Sequence, residues 1–125
     1  MSSIEQVTRA SLALALDASV MQQRAVVSNI ANAAVPGYRR QEVSFGDQLS
    51  AIRQEITTQG HTTLDSLRHI QPYIEASSPS GTDMTIRIDQ ELVTLTENAV
   101  RYQTLIKGLN KYFSIMSSAV NDGKR

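Results

Sequence analysis

The residues in this chain whose types and spacing best suit chemistry are His61, Asp65 and His69. On a helix they fall four apart on one face, where two imidazoles and a carboxylate could hold a metal ion. Gly60, Thr62, Thr63 and Pro72 surround them and weaken the helix that such a site needs, and no fourth ligand is evident. We assign no metal site there. The chain has no phosphate-cradling glycine loop and no serine nucleophile context. It has no cysteine, which excludes disulfide frameworks, thiolate zinc sites and cysteine nucleophiles. Twelve basic residues balance twelve acidic ones, and they are neither clustered nor interleaved with aromatics, so a nucleic-acid surface has no support. The expectation is a structural or interaction protein, not an enzyme, with no cofactor, no small-molecule substrate and no nucleic acid.

The elements follow from periodicity. Ile88, Leu92, Leu95, Ala99, Tyr102, Ile106, Leu109, Phe113, Met116 and Val120 alternate spacings of four and three without a slip. Such a repeat of about 3.5 residues marks a helix wound against other helices as a left-handed coil. Beside that stripe lie Glu91, Asn98, Leu105 and Tyr112, and Val93, Val100 and Ile115 lie further round. A helix apolar on more than one face is normally covered on more than one face.

A second heptad stripe runs through Ile4, Val7, Ser11, Leu14, Ala18, Met21, Ala25 and Ser28, with capping residues at Ser2 and Ser3. Between Ala10 and Tyr38 only Asp17 and Arg24 are charged, so this helix needs a cover, and the C-terminal helix running antiparallel is the simplest one. Glu5 with Arg9, and Glu97 with Arg101, are spaced for ion pairs along the helices. Asn29 and Asn32 favour an exit from the first helix, and Pro36-Gly37 reads as the centre of a type II turn. Tyr38 to Phe45 reads as extended, with Arg39-Arg40 solvated, and Phe45, Leu49, Ile52 and Ile56 mark one short helix. Residues 59–83 are loop-rich, with Gly60, Pro72, Pro79 and Gly81 as punctuation. Met84, Ile86 and Ile88 alternate with polar residues, which predicts a short strand and a small β-hairpin in this region. Gly108 implies a close partner or a bend in the last helix.

The expected fold is therefore mainly α and forms one domain: an N-terminal helix in 1–35, a turn, extended segment and loop-rich middle in 36–87, and a C-terminal heptad helix in 88–125. No apolar run approaches the roughly 18 residues needed to span a bilayer. Leu12 to Leu16 is too short for a signal peptide and is preceded by Glu5.

The run Ser28-Asn29-Ile30-Ala31-Asn32-Ala33, followed by Val35-Pro36-Gly37-Tyr38-Arg39, resembles the N-terminal motif of the flagellar axial proteins, the rod, hook and hook-associated subunits. Leu95-Thr96-Glu97-Asn98-Ala99-Val100-Arg101-Tyr102-Gln103 and Arg68-His69-Ile70 are similar to the proximal-rod members, which share the short length. Met84-Thr85-Ile86-Arg87 departs from that pattern, with a base where an acid is expected.

The resemblance implies a structural subunit of the bacterial flagellar basal body, exported through the flagellar type III apparatus without a cleaved signal. It would assemble in the periplasm with copies of itself and neighbouring rod and basal-body proteins into a hollow shaft that transmits torque and serves as export channel. In that reading Leu14 and Met21 pair with Leu92, Leu95, Ala99, Tyr102, Ile106, Leu109, Phe113 and Met116. Asn29, Asn32, Pro36, Gly37 and Tyr38 fix the turn, and Val93, Val100, Leu105 and Tyr112 meet neighbouring subunits. The alternative is a stand-alone helical coiled-coil adaptor dimer that presents its middle segment to a partner.

Overall fold

The computed structural model describes residues 3–45, 47–77 and 86–123. Two long helices dominate it: α1, Ser3–Ala31, and α4, Ile88–Gly123. Between them lie β1 (Gln41–Ser44), α2 (Gln48–Gln59), α3 (Leu64–Arg68) and β2 (Tyr73–Ala76). The expectations for Ser2, Pro79, Gly81 and Met84 lie outside the described residues.

The helices pack antiparallel. The Tyr112 hydroxyl near the end of α4 donates to the Glu5 carbonyl at the start of α1 (3.0 Å), and Glu91 at the start of α4 meets Asn29 at the end of α1. Gly108 lies over Leu12 without being pressed on it. A Cβ there would sit 4.0 Å from Leu12 Cδ2, an ordinary contact.

The exit from α1 is a succession of tight turns, from Asn32 N–H to the Ser28 carbonyl through to Tyr38 N–H to the Val35 carbonyl (3.2 Å). That last bond closes the turn around Pro36-Gly37. Gly37 has φ +79°, the left-handed conformation that a type II turn needs at its third residue. Helix α2 stops the same way, with Gly60 at φ +82° and its N–H on the Ile56 carbonyl (2.7 Å). Thr63 starts α3 by accepting from Ser66 N–H (3.2 Å).

The extended segment becomes β1, which pairs antiparallel with β2 from Gln41↔Ala76 to Ser44↔Tyr73. The sheet is closed by the connection 45–72, which carries two helices, not by a tight turn. Ile86 is buried but in no strand, and Ile88 already belongs to α4, whose first turn places Glu91 N–H on the Arg87 carbonyl (2.9 Å). Ile86 is thus a single buried anchor ahead of the helix, Ile88 is exposed, and the two are not part of a β-ladder.

The apolar core is small and lies at one end of the pair. Ala25 and Val26 from α1, Leu67 and Ile70 in and after α3, and Ile86 before α4 are buried. Helix α2 has no buried residue and packs extensively on no other element. The accessible surface is 8812 Å², against about 6,600 Å² for a compact monomer of this mass.

Candidate functional site

Two features of this fold are candidates for function: a polar knot where α1, β1 and α4 meet, and the apolar surface that the helix pair leaves uncovered.

The knot centres on Asn29, which is fully buried. Its side-chain amide pairs with the Gln41 backbone as a neighbouring strand would: Oδ1 accepts from Gln41 N–H (2.7 Å) and Nδ2 donates to the Gln41 carbonyl (2.9 Å). Nδ2 also reaches Glu91 Oε2 at 3.3 Å. Glu91 Oε1 receives Arg40 Nε at 2.6 Å, and Arg40 Nη1 meets Glu42 Oε2 at 3.1 Å. Burial disfavours the Arg40 charge, but hydrogen bonding and the charge of Glu91, then of Glu42, outweigh it and raise the guanidinium above its usual pKa. Arg40 is therefore not simply solvated, as its position in a basic pair predicts. The Arg40–Glu42 contact also relieves the like charges of Glu42 and Glu75, which face each other across the sheet. Asn32 Nδ2 donates to the Ser28 carbonyl (2.8 Å), and Ser28 Oγ meets the Tyr38 hydroxyl (2.6 Å). The Asn-x-x-Asn and Pro-Gly-Tyr residues thus close one turn and bind β1 to the helix end.

About two turns past Glu91, Asn98 lies buried against α1. Its Oδ1 accepts from Ser19 Oγ (3.1 Å), and Nδ2 donates to the Ser19 carbonyl (2.9 Å) and to Gln23 Oε1 (2.9 Å). Among the described residues no buried side-chain nitrogen or oxygen lacks a partner.

These contacts show which face of α4 meets α1. Glu91 and Asn98 are buried, while Leu95, Leu105, Leu109, Tyr112 and Met116 are half-buried. Glu91, Asn98, Leu105 and Tyr112 recur every seven residues, each one position before Leu92, Ala99, Ile106 and Phe113 of the all-apolar stripe. Leu95, Leu109 and Met116 belong to both, so the buried face is turned slightly from the all-apolar one. Leu14, Met21 and Ile106 are half-buried as well. Leu92, Ala99, Tyr102 and Phe113, expected in the pair, are exposed, and Leu105 and Tyr112, expected to face neighbours, turn toward α1. The reason is polar satisfaction. Glu91, Asn98 and Tyr112 find their partners on α1, whereas hydropathy alone favours the stripe without them.

The rotation leaves an apolar margin in two stretches of α4, around 92–100 and 113–120. Leu92 (49% exposed), Val93, Ala99, Val100 (59%), Phe113 (49%), Ile115 and Val120 are open on α4, and Val20 and Val27 on α1. Where the helices adjoin, Val20, Gln23, Ala99 and Tyr102 line a groove of about 450 Å³.

The histidines are not brought together. Helix α3 begins after His61, whose Nδ1 contacts the Gln59 carbonyl (3.1 Å), and His69 Nδ1 contacts the Asp65 carbonyl (2.7 Å). Among the described residues no three metal-binding side chains cluster. The ion pairs there are those of Arg40, and Glu5–Arg9 and Glu97–Arg101 are not among them. Exposed pairs of that kind are worth at most about 0.5 kcal/mol, so side-chain entropy wins. No helix is long and apolar enough to cross a membrane among the described residues.

No protein-family model matches the chain. Among curated proteins it is similar to the flagellar basal body rod protein FlgB of Yersinia enterocolitica, at 28% identity over 123 residues, covering 87% of this chain and 90% of the relative. The Bacillus subtilis FlgB is 26% identical over 117 residues, covering 88% and 90% of the two chains. A Cereibacter sphaeroides FlgB is 30% identical over 105 residues, covering 76% of this chain and 79% of the relative. With a relative 30% identical over about three quarters of both chains, the chain belongs to the FlgB family of flagellar basal body rod proteins.

Proposed function

We propose that this chain is a structural subunit of the proximal rod, assembling through α1 and α4 with copies of itself and with neighbouring rod proteins into a hollow shaft. The shaft transmits torque and leaves an export channel, and the chain reaches it through the flagellar type III apparatus, in the periplasm, without a cleaved signal. The observation that carries this reading is the uncovered apolar margin of α4, in which Val93 and Val100 are each more than half exposed.

The energetics favour an array over a single contact. Covering a half-exposed Val, Leu or Phe contributes about 1 kcal/mol, so the margin supplies roughly 6 kcal/mol. Association costs on the order of 4–15 kcal/mol in lost freedom. One such contact barely holds, whereas a subunit gripped on several sides is held firmly. The surface in excess of a compact monomer points the same way.

Substituting Val93→Asp and Val100→Asp together tests the reading in cells. Both side chains are exposed, so the monomer keeps its helix content by circular dichroism. Basal bodies from that strain are expected to lack a rod, and the cells to be non-motile. Normal rods and normal motility would overturn the reading and leave the adaptor dimer in its place.

A further inference from the structure

The apolar part of the α1–α4 contact cannot by itself choose a register. Leu95, Leu109 and Met116 on α4, and Leu14, Met21, Ala18 and Ala25 on α1, recur at multiples of seven residues. Sliding one helix along the other by a heptad therefore returns apolar side chains to apolar side chains. β1, α3 and β2 pack on α1, but the residues between the end of β2 at Ala76 and the start of α4 at Ile88 are enough to take up a heptad shift of about 10 Å.

The polar positions on the same face are not degenerate. Glu91 and Asn98 are one heptad apart, both are almost fully buried (3% and 2% exposed), and their partners differ. Asn98 meets a hydroxyl, a carbonyl and an amide at Ser19 and Gln23. Glu91 meets Arg40 and Asn29. A slip of seven residues in either direction carries Glu91 away from the guanidinium and moves Asn98 off the Ser19 hydroxyl. A buried carboxylate would then have no cation, and a buried amide would lose its matched donor and acceptor, both heavily penalised.

We infer that Glu91 and Asn98 are register pins, buried polar side chains that admit one alignment of α1 and α4 and exclude its heptad-shifted neighbours. Single polar residues inside a coiled-coil seam act in this way, fixing alignment at a cost in stability. Register matters beyond the pair, because it sets the height at which the α4 margin stands beside Val20 and Val27. Both pins act within one chain, so their effect is read on the monomer whatever the chain assembles into.

The absence of cysteine makes the test direct, since introduced thiols are unique. Leu12→Cys with Gly108→Cys reports the observed register. Leu12→Cys with Arg101→Cys, and Leu12→Cys with Ile115→Cys, report the two heptad slips. Each pair is placed in the otherwise unaltered chain and in an E91L/N98L background, and dilute protein is treated with a short thiol cross-linker. Leucine is close in shape to asparagine, Arg40 keeps Glu42, and Ser19 can turn to its own helix backbone, so the variant is expected to remain helical.

The expected result is that only the 12–108 pair links within the unaltered chain. In E91L/N98L at least one slipped pair rises severalfold above that background, at the expense of 12–108. Slipped pairs that stay at background in the folded variant overturn the inference. Should E91L/N98L not fold, E91Q/N98A is scored by the same yields. Failure of both to fold also overturns it, because the two residues would then be required for stability and not for alignment.

Discussion

Arg40 and Glu91, 51 positions apart, meet at 2.6 Å, with the carboxylate side chain 3% exposed and the guanidinium side chain 37% exposed. The pair is lopsided: its negative half is inside and its positive half reaches water. Losing each half should therefore have different consequences. In Glu91→Leu, Arg40 retains Glu42 and solvent. In Arg40→Leu, Glu91 stays buried with only the 3.3 Å bond from Asn29. Breaking a fully buried pair costs about 3–5 kcal/mol, and the partial exposure of Arg40 reduces that to roughly 2–3 kcal/mol for Arg40→Leu. Glu91→Leu is expected to cost no more than about 1 kcal/mol. Urea denaturation of the two variants checks the order, and equal midpoints would show that water already reaches Glu91.

Much of this fold was legible from the residues alone. The two long helices, the turn at Pro36-Gly37 and the extended segment after Tyr38 follow from local rules, and local rules sufficed. The face on which α4 packs did not follow from them. Hydropathy ranks Leu92, Ala99 and Phe113 above Glu91, Asn98 and Tyr112, yet the latter three have partners on α1 that are 62 to 107 residues away. No window along the chain contains that information. The β1–β2 pairing was hidden for the same reason, since Tyr73–Ala76 buries none of its residues and pairs across residues 45–72. The Asn29 and Tyr38 signal was visible as a motif, but Arg40 and Glu91 carried no mark of their part in the knot.

Gly108 offers a probe that separates the monomer from the assembly. An alanine Cβ there meets only Leu12 Cδ2 at 4.0 Å, so it fits without displacement. Replacing a mid-helix glycine with alanine contributes up to about 1 kcal/mol through helix propensity and the unfolded chain. Gly108→Ala is therefore expected to raise the melting temperature of the isolated chain by roughly 3 °C. A lowered melting temperature would mean that α4 needs glycine for a bend. If the melting temperature rises while rods fail to form, a neighbouring subunit must approach the helix backbone at this point.

Stability should also be graded along the helix pair. The buried residues of α1 begin at Ser19 and those of α4 end at Asn98, all at the knotted end. Toward the other end the half-buried Leu12, Leu105, Leu109 and Met116 and the bond from Tyr112 to the Glu5 carbonyl hold the helices together. A helical segment with no buried contacts opens at little cost, because local protection follows burial. Amide hydrogen exchange on dilute protein is expected to be slowest at Ala25–Asn29, Gln41 and Glu91–Asn98, and to quicken steadily toward Ile4 and Val120. Exchange on the assembled form should be slow throughout, since the neighbours would cover the margin of α4. Uniform slow exchange in the dilute chain would instead mean that the pair is complete without neighbours, and the uncovered margin would then have no role in ordering it.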